Sequence, residues 1–261
     1  MFKKFQKTLK RILPKSIVEV LLFSSDPKDG YACMAFILDK NLSISLSKRF
    51  SLIRAFYRIS ARVDSPHTQR EILAFVKEIL ALPKDTEGVL VEAGCFKGSS
   101  TAKFSLAADL ANRELVVFDS FEGIPDNAED HGRDIFGKSA GFAKGSYRGG
   151  LDEVKAAVSR FGAIGRCRFI KGWFEDTLPH FHEPVAAAYI DVDLVSSTKT
   201  CVRYLYPLLQ KRAKLFSQDG HLPLIIQLFQ DESFWKEEVG ISAPTVYGLN
   251  ESKLIHIQKE R

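Results

Sequence analysis

The sequence predicts an α/β protein, a doubly wound, mostly parallel sheet with helices on both faces and an N-terminal helical cap. Three observations carry this. From Pro83 onward, short apolar runs alternate with amphipathic stretches, as strands joined by right-handed crossover helices do. Acids and glycines follow directly on the apolar runs, where a parallel sheet binds ligands beyond the carboxyl ends of its strands. Before about residue 80 the periodicity is helical, without repeats or low-complexity tracts, so the chain divides into a helical extension, 1–80, and a sheet domain, 81–261.

Along the chain, Phe2, Phe5, Leu9, Ile12 and Leu13 fall at helical spacing with Lys3, Lys4, Lys7, Lys10 and Arg11 between them. This basic amphipathic helix is read first as a cap on its own domain. Contact of residues 1–15 with an anionic membrane surface or with a partner is the alternative. Residues 43–63 again mix aliphatic and basic side chains, and the apolar helical region offers a surface for a homo-oligomer. In SPHTQREILAFVKEIL, Ser65 as N-cap and Pro66 at the first helical position start the next helix. Strands are expected at 89–92, 114–119, 166–172, 186–193 and 213–217, with a closing pair at PTVYG and KLIHIQ. Helices are expected at 99–111, 151–161, 197–209 and 221–238, and the Gly-rich, charged stretch 125–150 reads as a mobile lid.

Composition sets limits. The formal charge of +5 is concentrated in the first fifteen residues and the remainder is close to neutral, so no nucleic-acid partner is expected. Cys33, Cys95, Cys167 and Cys201 lie far apart with no CxxC pair, which reads as reduced thiols and a cytoplasmic protein. No apolar run reaches the roughly eighteen residues of a membrane span, and no signal-peptide pattern is seen.

The chemistry sits after the strands. In VLVEAGCFKGSS, Glu92 ends a strand, Gly94 and Gly98 permit a tight turn, and Ser99 opens a helix whose N–H groups face the ligand. Neither GxGxxG nor GxxxxGK[ST] is present, and a carboxylate there suits an ammonium or sulfonium ligand better than a phosphate. In VVFDSFEGIP, Asp119 closes the second strand beside Ser120, placed to accept from ribose hydroxyls. Gly172, Trp173 and Phe174 follow the third strand and can stack on a purine. Asp191 and Asp193 finish the fourth strand, Gln218 and Asp219 the fifth, giving four oxygen-bearing side chains suited to Mg²⁺ or a similar cation. Asp191 and His221 are the candidate bases.

The motifs EAGCFKGSS, VVFDSFEGIP, YRGGLDEVKAAV, RFIKGWFEDTLP and IDVDLVSSTKTCVRYLYPLL, in this order, resemble the macrocin O-methyltransferase group of class I S-adenosylmethionine enzymes over roughly residues 60–235. The resemblance implies a Rossmann-like, seven-stranded fold and cation-assisted methyl transfer from S-adenosyl-L-methionine to a hydroxyl of a small molecule, often a sugar on a natural product. It assigns Glu92, Gly94 and Gly98 to the methionine part, Asp119 to the ribose, Trp173 and Phe174 to the adenine, and Asp191, Asp193 and Asp219 to the metal. Two departures stand out: Gln218 replaces the first of two adjacent acids, and Val192 replaces a glycine. Two rivals stay open. A nicotinamide-dependent dehydrogenase would share the turn and the ribose acid but lacks its glycine fingerprint, and a non-catalytic scaffold would use the basic helix for docking.

Overall fold

The computed structural model describes residues 26–260. The basic helix expected at 1–13 lies outside these residues. Three helices come first: α1 (Pro27–Leu38), α2 (Leu46–Arg62) and α3 (Gln69–Ala81). The order then runs β1 (Val89–Ala93), α4 (Ser99–Leu110), β2 (Leu115–Asp119), α5 (Leu151–Phe161), β3 (Cys167–Lys171), α6 (Phe174–Thr177), β4 (Val185–Ile190), α7 (Val195–Leu208), β5 (Leu209–Ser217) and α8 (Pro223–Gln230). A π-helical turn, Phe234–Val239, precedes β6 (Val246–Tyr247) and β7 (Ile255–Gln258).

The strands form one seven-stranded sheet in the order β3-β2-β1-β4-β5-β7-β6. The first five are parallel, and β7 runs antiparallel to β5 and to β6. Alternate residues of each strand point to opposite faces, which gives two cores. Leu90, Leu115, Val117 and Tyr189 join the helices of 27–81, α4 and α5 on one face. Val91, Val116, Phe118 and Ile190 join α7, α8 and the π turn on the other. The N-terminal helices therefore share one continuous core with the sheet, through residues such as Phe56, Phe75 and Ile79.

Two expected elements start or end elsewhere. The helix α3 is capped by Thr68, not Ser65. Thr68 Oγ1 accepts from Glu71 N while the Glu71 carboxylate accepts from Thr68 N, a reciprocal capping box that outweighs the Ser-Pro signal. Residues 65–67 are left in a turn in which Ser65 Oγ accepts from His67 N at 3.3 Å. The single helix expected over 221–238 breaks at Asp231, whose side chain accepts from Ser233 N and starts the π turn.

What positions the site is the pairing that continues one residue beyond the strands. Gly94 N donates to Phe118 O, Asp191 N to Ala93 O, Gln218 N to Ile190 O and Gly172 N to Asp119 O, at 2.9 to 3.1 Å. The predicted residues are thereby lined up along the carboxyl edge of the sheet, on either side of the switch between β1 and β4.

Candidate active site

The turn after β1 depends on glycine. Gly94 has φ +83°, and a Cβ there would stand 2.1 Å from Asp191 O. Gly98, at φ +78°, caps α4 and lies against Val154. The cavity that opens here is lined by Gly94, Phe96, Asp119, Ser120, Trp173 and Phe174 on one side and by Asp191, Asp193, Tyr147 and Lys253 on the other. Glu92, Gly98, Ser99 and Gly172 are not among its lining residues. They sit in the layer beneath, where Glu92 is fully buried and Ser99 nearly so. Three non-glycine lining residues, Phe96, Tyr147 and Asp193, have φ of 49°, 54° and 63°, the left-handed conformation that L side chains avoid.

The acids differ in how they are held. Asp119 accepts from Cys95 N at 2.7 Å and from Phe121 N at 2.6 Å, tying together the turns after β1 and β2. Burial pushes its carboxyl up, with those N–H groups pulling the other way. Glu92 has no hydrogen bond of good geometry at either oxygen. Burial raises it to about 8, and the nearby Ser100 and Thr101 hydroxyls offset that only in part.

At the other side, Asp191, Asp193 and Asp219 bring carboxylate oxygens within 4.8 Å of one another. Asp219 Oδ2 accepts from the backbone N–H of Val192 and Asp193, while its Oδ1 is buried without a partner. Burial, then the charge of Asp191, raises Asp219 to about 7. Asp193 is raised by burial and by Asp219 and Asp191, and its carboxylate makes no hydrogen bond to a described residue. Asp191 behaves differently. Burial pushes it up, but His67, Lys253 and His221 outweigh that and hold it below the ordinary carboxylate range. His67 Nε2 lies 2.8 Å from Asp191 Oδ2, and the histidine side chain is 4 % exposed.

Two residues of the expected set stand apart from this cluster. Gln218 is fully buried and its Oε1 accepts from Tyr189 OH at 2.7 Å, so the oxygen a cation needs is already engaged. His221 stacks on Phe136, outside the cavity lining, and burial lowers it to about 4. Sequence reasoning missed His67, hidden in a predicted helix start, and Lys253, which precedes the antiparallel strand β7; Phe96 and Tyr147 carried no motif. The stretch expected to be a mobile lid is tied down on two sides. Glu129 accepts from Val195 N, Ser196 N and Ser196 Oγ, and Ile135 N donates to His221 O.

The three clustered carboxylates, with a buried orphaned Asp219 oxygen among them, fit a divalent cation. Among the described residues, no helix is long and apolar enough to cross a membrane.

Comparison with known proteins agrees with the layout. The family model described as Macrocin-O-methyltransferase (TylF) matches residues 70–222. The 8-demethyl-8-(2,3-dimethoxy-alpha-L-rhamnosyl)-tetracenomycin-C 4'-O-methyltransferase of Streptomyces olivaceus is 35% identical over 164 residues, 60% of this chain and 61% of that protein. Demethyldecarbamoylnovobiocin O-methyltransferase of Streptomyces niveus is 34% identical over 126 residues, 46% of this chain and 48% of its own length. The matched part thus spans less than two thirds of the length of these curated relatives. Among solved structures, the O-methyltransferase NovP superposes with a TM-score of 0.61 at 22% identity, covering 82% of this chain and all (100%) of that one. The calicheamicin methyltransferase CalS11 superposes at 0.55 with 16% identity, covering 89% and 93%. These two share the fold, a Rossmann-like α/β sheet. Since the family model takes in more than half of the sequence, the chain belongs to the macrocin O-methyltransferase family.

Proposed function

We propose that the protein is an S-adenosylmethionine-dependent O-methyltransferase whose acceptor is a hydroxyl of a small molecule, with a sugar-bearing natural product as the favoured class. The observation that carries this is the position of Asp193, a carboxylate without a hydrogen bond to any described residue, in the same cavity as the β1 and β2 turns. The cofactor supplies a methyl group already activated on a sulfonium. Gly94 admits the ligand close to the backbone, Asp119 and Ser120 meet ribose hydroxyls, and Trp173 with Phe174 flank the base. Glu92, buried beneath the turn, would complement a positive group above it by giving up its proton when that group binds.

On the acceptor side, Asp193 takes the hydroxyl proton, in place of Asp191 or His221. It is the carboxylate left unengaged, and the pressure of burial and of Asp219 and Asp191 makes it a better proton acceptor than an ordinary aspartate. Asp191, held by His67, stays ionised beside it. A divalent cation held by this carboxylate cluster would lower the pKa of the acceptor hydroxyl. Proximity and exclusion of water supply the remaining acceleration.

Calorimetric titration with S-adenosylhomocysteine tests the cofactor reading, with micromolar binding as the expected result and no binding by folded protein refuting it. Asp193→Asn tests the chemistry. Turnover should fall by about a hundred-fold or more while S-adenosylhomocysteine binding stays within about three-fold; equal turnover removes Asp193 from the reaction.

A further inference from the structure

Lys253 is the cation on the acceptor side of the cavity, and the sequence reading met it only as the first residue of the KLIHIQ strand, with no role at the site. It lines the cavity together with Asp191 and Asp193. Its backbone is fixed beside the third acid, because Gly220 N, one residue after Asp219, donates to Lys253 O at 3.0 Å. The contact needs a glycine. A Cβ at position 220 would meet Ile255 Cγ2 at 2.2 Å, so the β7 approach and the Asp219 turn are built against each other. Lys253 is half-buried, and its ammonium feels Asp191, Glu71, Asp219 and Asp193. Yet its Nζ forms no ion pair within 4.0 Å and no hydrogen bond with a described residue. The ammonium and the carboxylates share the cavity wall without direct contact.

A divalent ion held by the carboxylates would share this cavity with the ammonium. An ion entering it meets a fixed positive charge on a flexible four-carbon stem, in a site where Gln218 already contributes no charge. We propose that Lys253 sets the divalent-ion affinity of the Asp191, Asp193 and Asp219 cluster, its ammonium neutralising part of the charge that a metal ion would otherwise neutralise. The inference rests on the cation site proposed above. It adds that the site is tuned weak by a lysine, whose fixed positive charge an entering ion must oppose.

The test is a titration with Mn²⁺ alone, without cofactor or acceptor, followed by calorimetry and by the electron paramagnetic resonance signal of free Mn²⁺. Lys253→Met should bind Mn²⁺ about ten-fold or more tightly than wild type, and Lys253→Arg should bind as weakly as wild type. Lys253→Gln serves if the methionine variant does not fold. Adding Asp219→Asn to Lys253→Met should abolish the gain, which places the ion on the cluster. Equal Mn²⁺ affinity in wild type and Lys253→Met overturns the role of Lys253 while leaving the cation site standing. No Mn²⁺ binding by either protein overturns both, and a gain that survives Asp219→Asn overturns the inference because the ion then sits elsewhere.

Discussion

Asp119 and Asp219 do the same architectural work in two places, and their surroundings make them different groups. Asp119 ends β2 and Asp219 lies two residues beyond β5, and each accepts two backbone N–H groups: Asp119 from Cys95 and Phe121, Asp219 from Val192 and Asp193. Around Asp219, however, stand two further carboxylates, and that company together with burial carries it to about 7. In the β1 and β2 region Asp119 spends its oxygens on geometry, and in the reading proposed above it also accepts hydrogen bonds from ribose hydroxyls. The β4 and β5 region concentrates negative charge, and so is built to receive a proton or a cation. On the proposed reading, the same backbone tie supports binding in one place and chemistry in the other.

If this contrast holds, mutations on the two sides should separate. Asp119→Ala should give the largest effect, weakening S-adenosylhomocysteine about a hundred-fold in calorimetry while single-turnover chemistry at saturating cofactor changes little. Equal losses in both measurements would erase the distinction. His67→Ala should act the other way, lowering kcat about ten-fold with cofactor affinity kept. Without His67, burial is less well opposed at Asp191, so its pKa rises and the acid limb of the pH profile should move to higher pH. His67→Gln, which retains a donor at similar reach, should restore part of both. A parallel, pH-independent drop in each variant would make His67 a packing residue only.

The smallest effect concerns Glu92. Its folded pKa of about 8 lies above the ordinary value, so the folded state binds the extra proton. Stability contributed by that proton is present in full near pH 4 and is lost as pH rises through about 8. Glu92→Gln, neutral throughout, should therefore melt about 5 °C above wild type at pH 8.5 in the absence of ligand, and the difference should shrink below pH 6. A gap that stays constant with pH would mean that Glu92 is ionised and compensated by some other group.

Much of this was legible because strand ends are local. The apolar runs, the glycine pair and the IDVD stretch are each contiguous, and the sheet's pairing carries Gly94, Asp119, Asp191 and Gln218 to one edge without help from elsewhere. The opaque part came from distance. His67 reaches Asp191 across 124 positions, and its turn exists because Thr68 and Glu71 cap α3 three residues later than Ser65 would. Lys253 depends on an antiparallel return of the chain beside Gly220. Gln218 looked like a ligand because it adjoins Asp219, and only the register of β4 beside β5 shows Tyr189 claiming its oxygen. A linear pattern names the groups at a strand end but not the partners that the fold brings to them.

The left-handed residues on the cavity wall have a consequence for how this protein changes under selection. Phe96, Tyr147 and Asp193 each hold a backbone conformation that costs about 1 kcal/mol for an L residue and almost nothing for glycine. Selection for heat tolerance alone would thus favour glycine or asparagine at these three positions, and each such step would remove a ring or a carboxylate from the cavity. Lineages of this protein kept warm but idle should lose the wall of the site before they lose the fold.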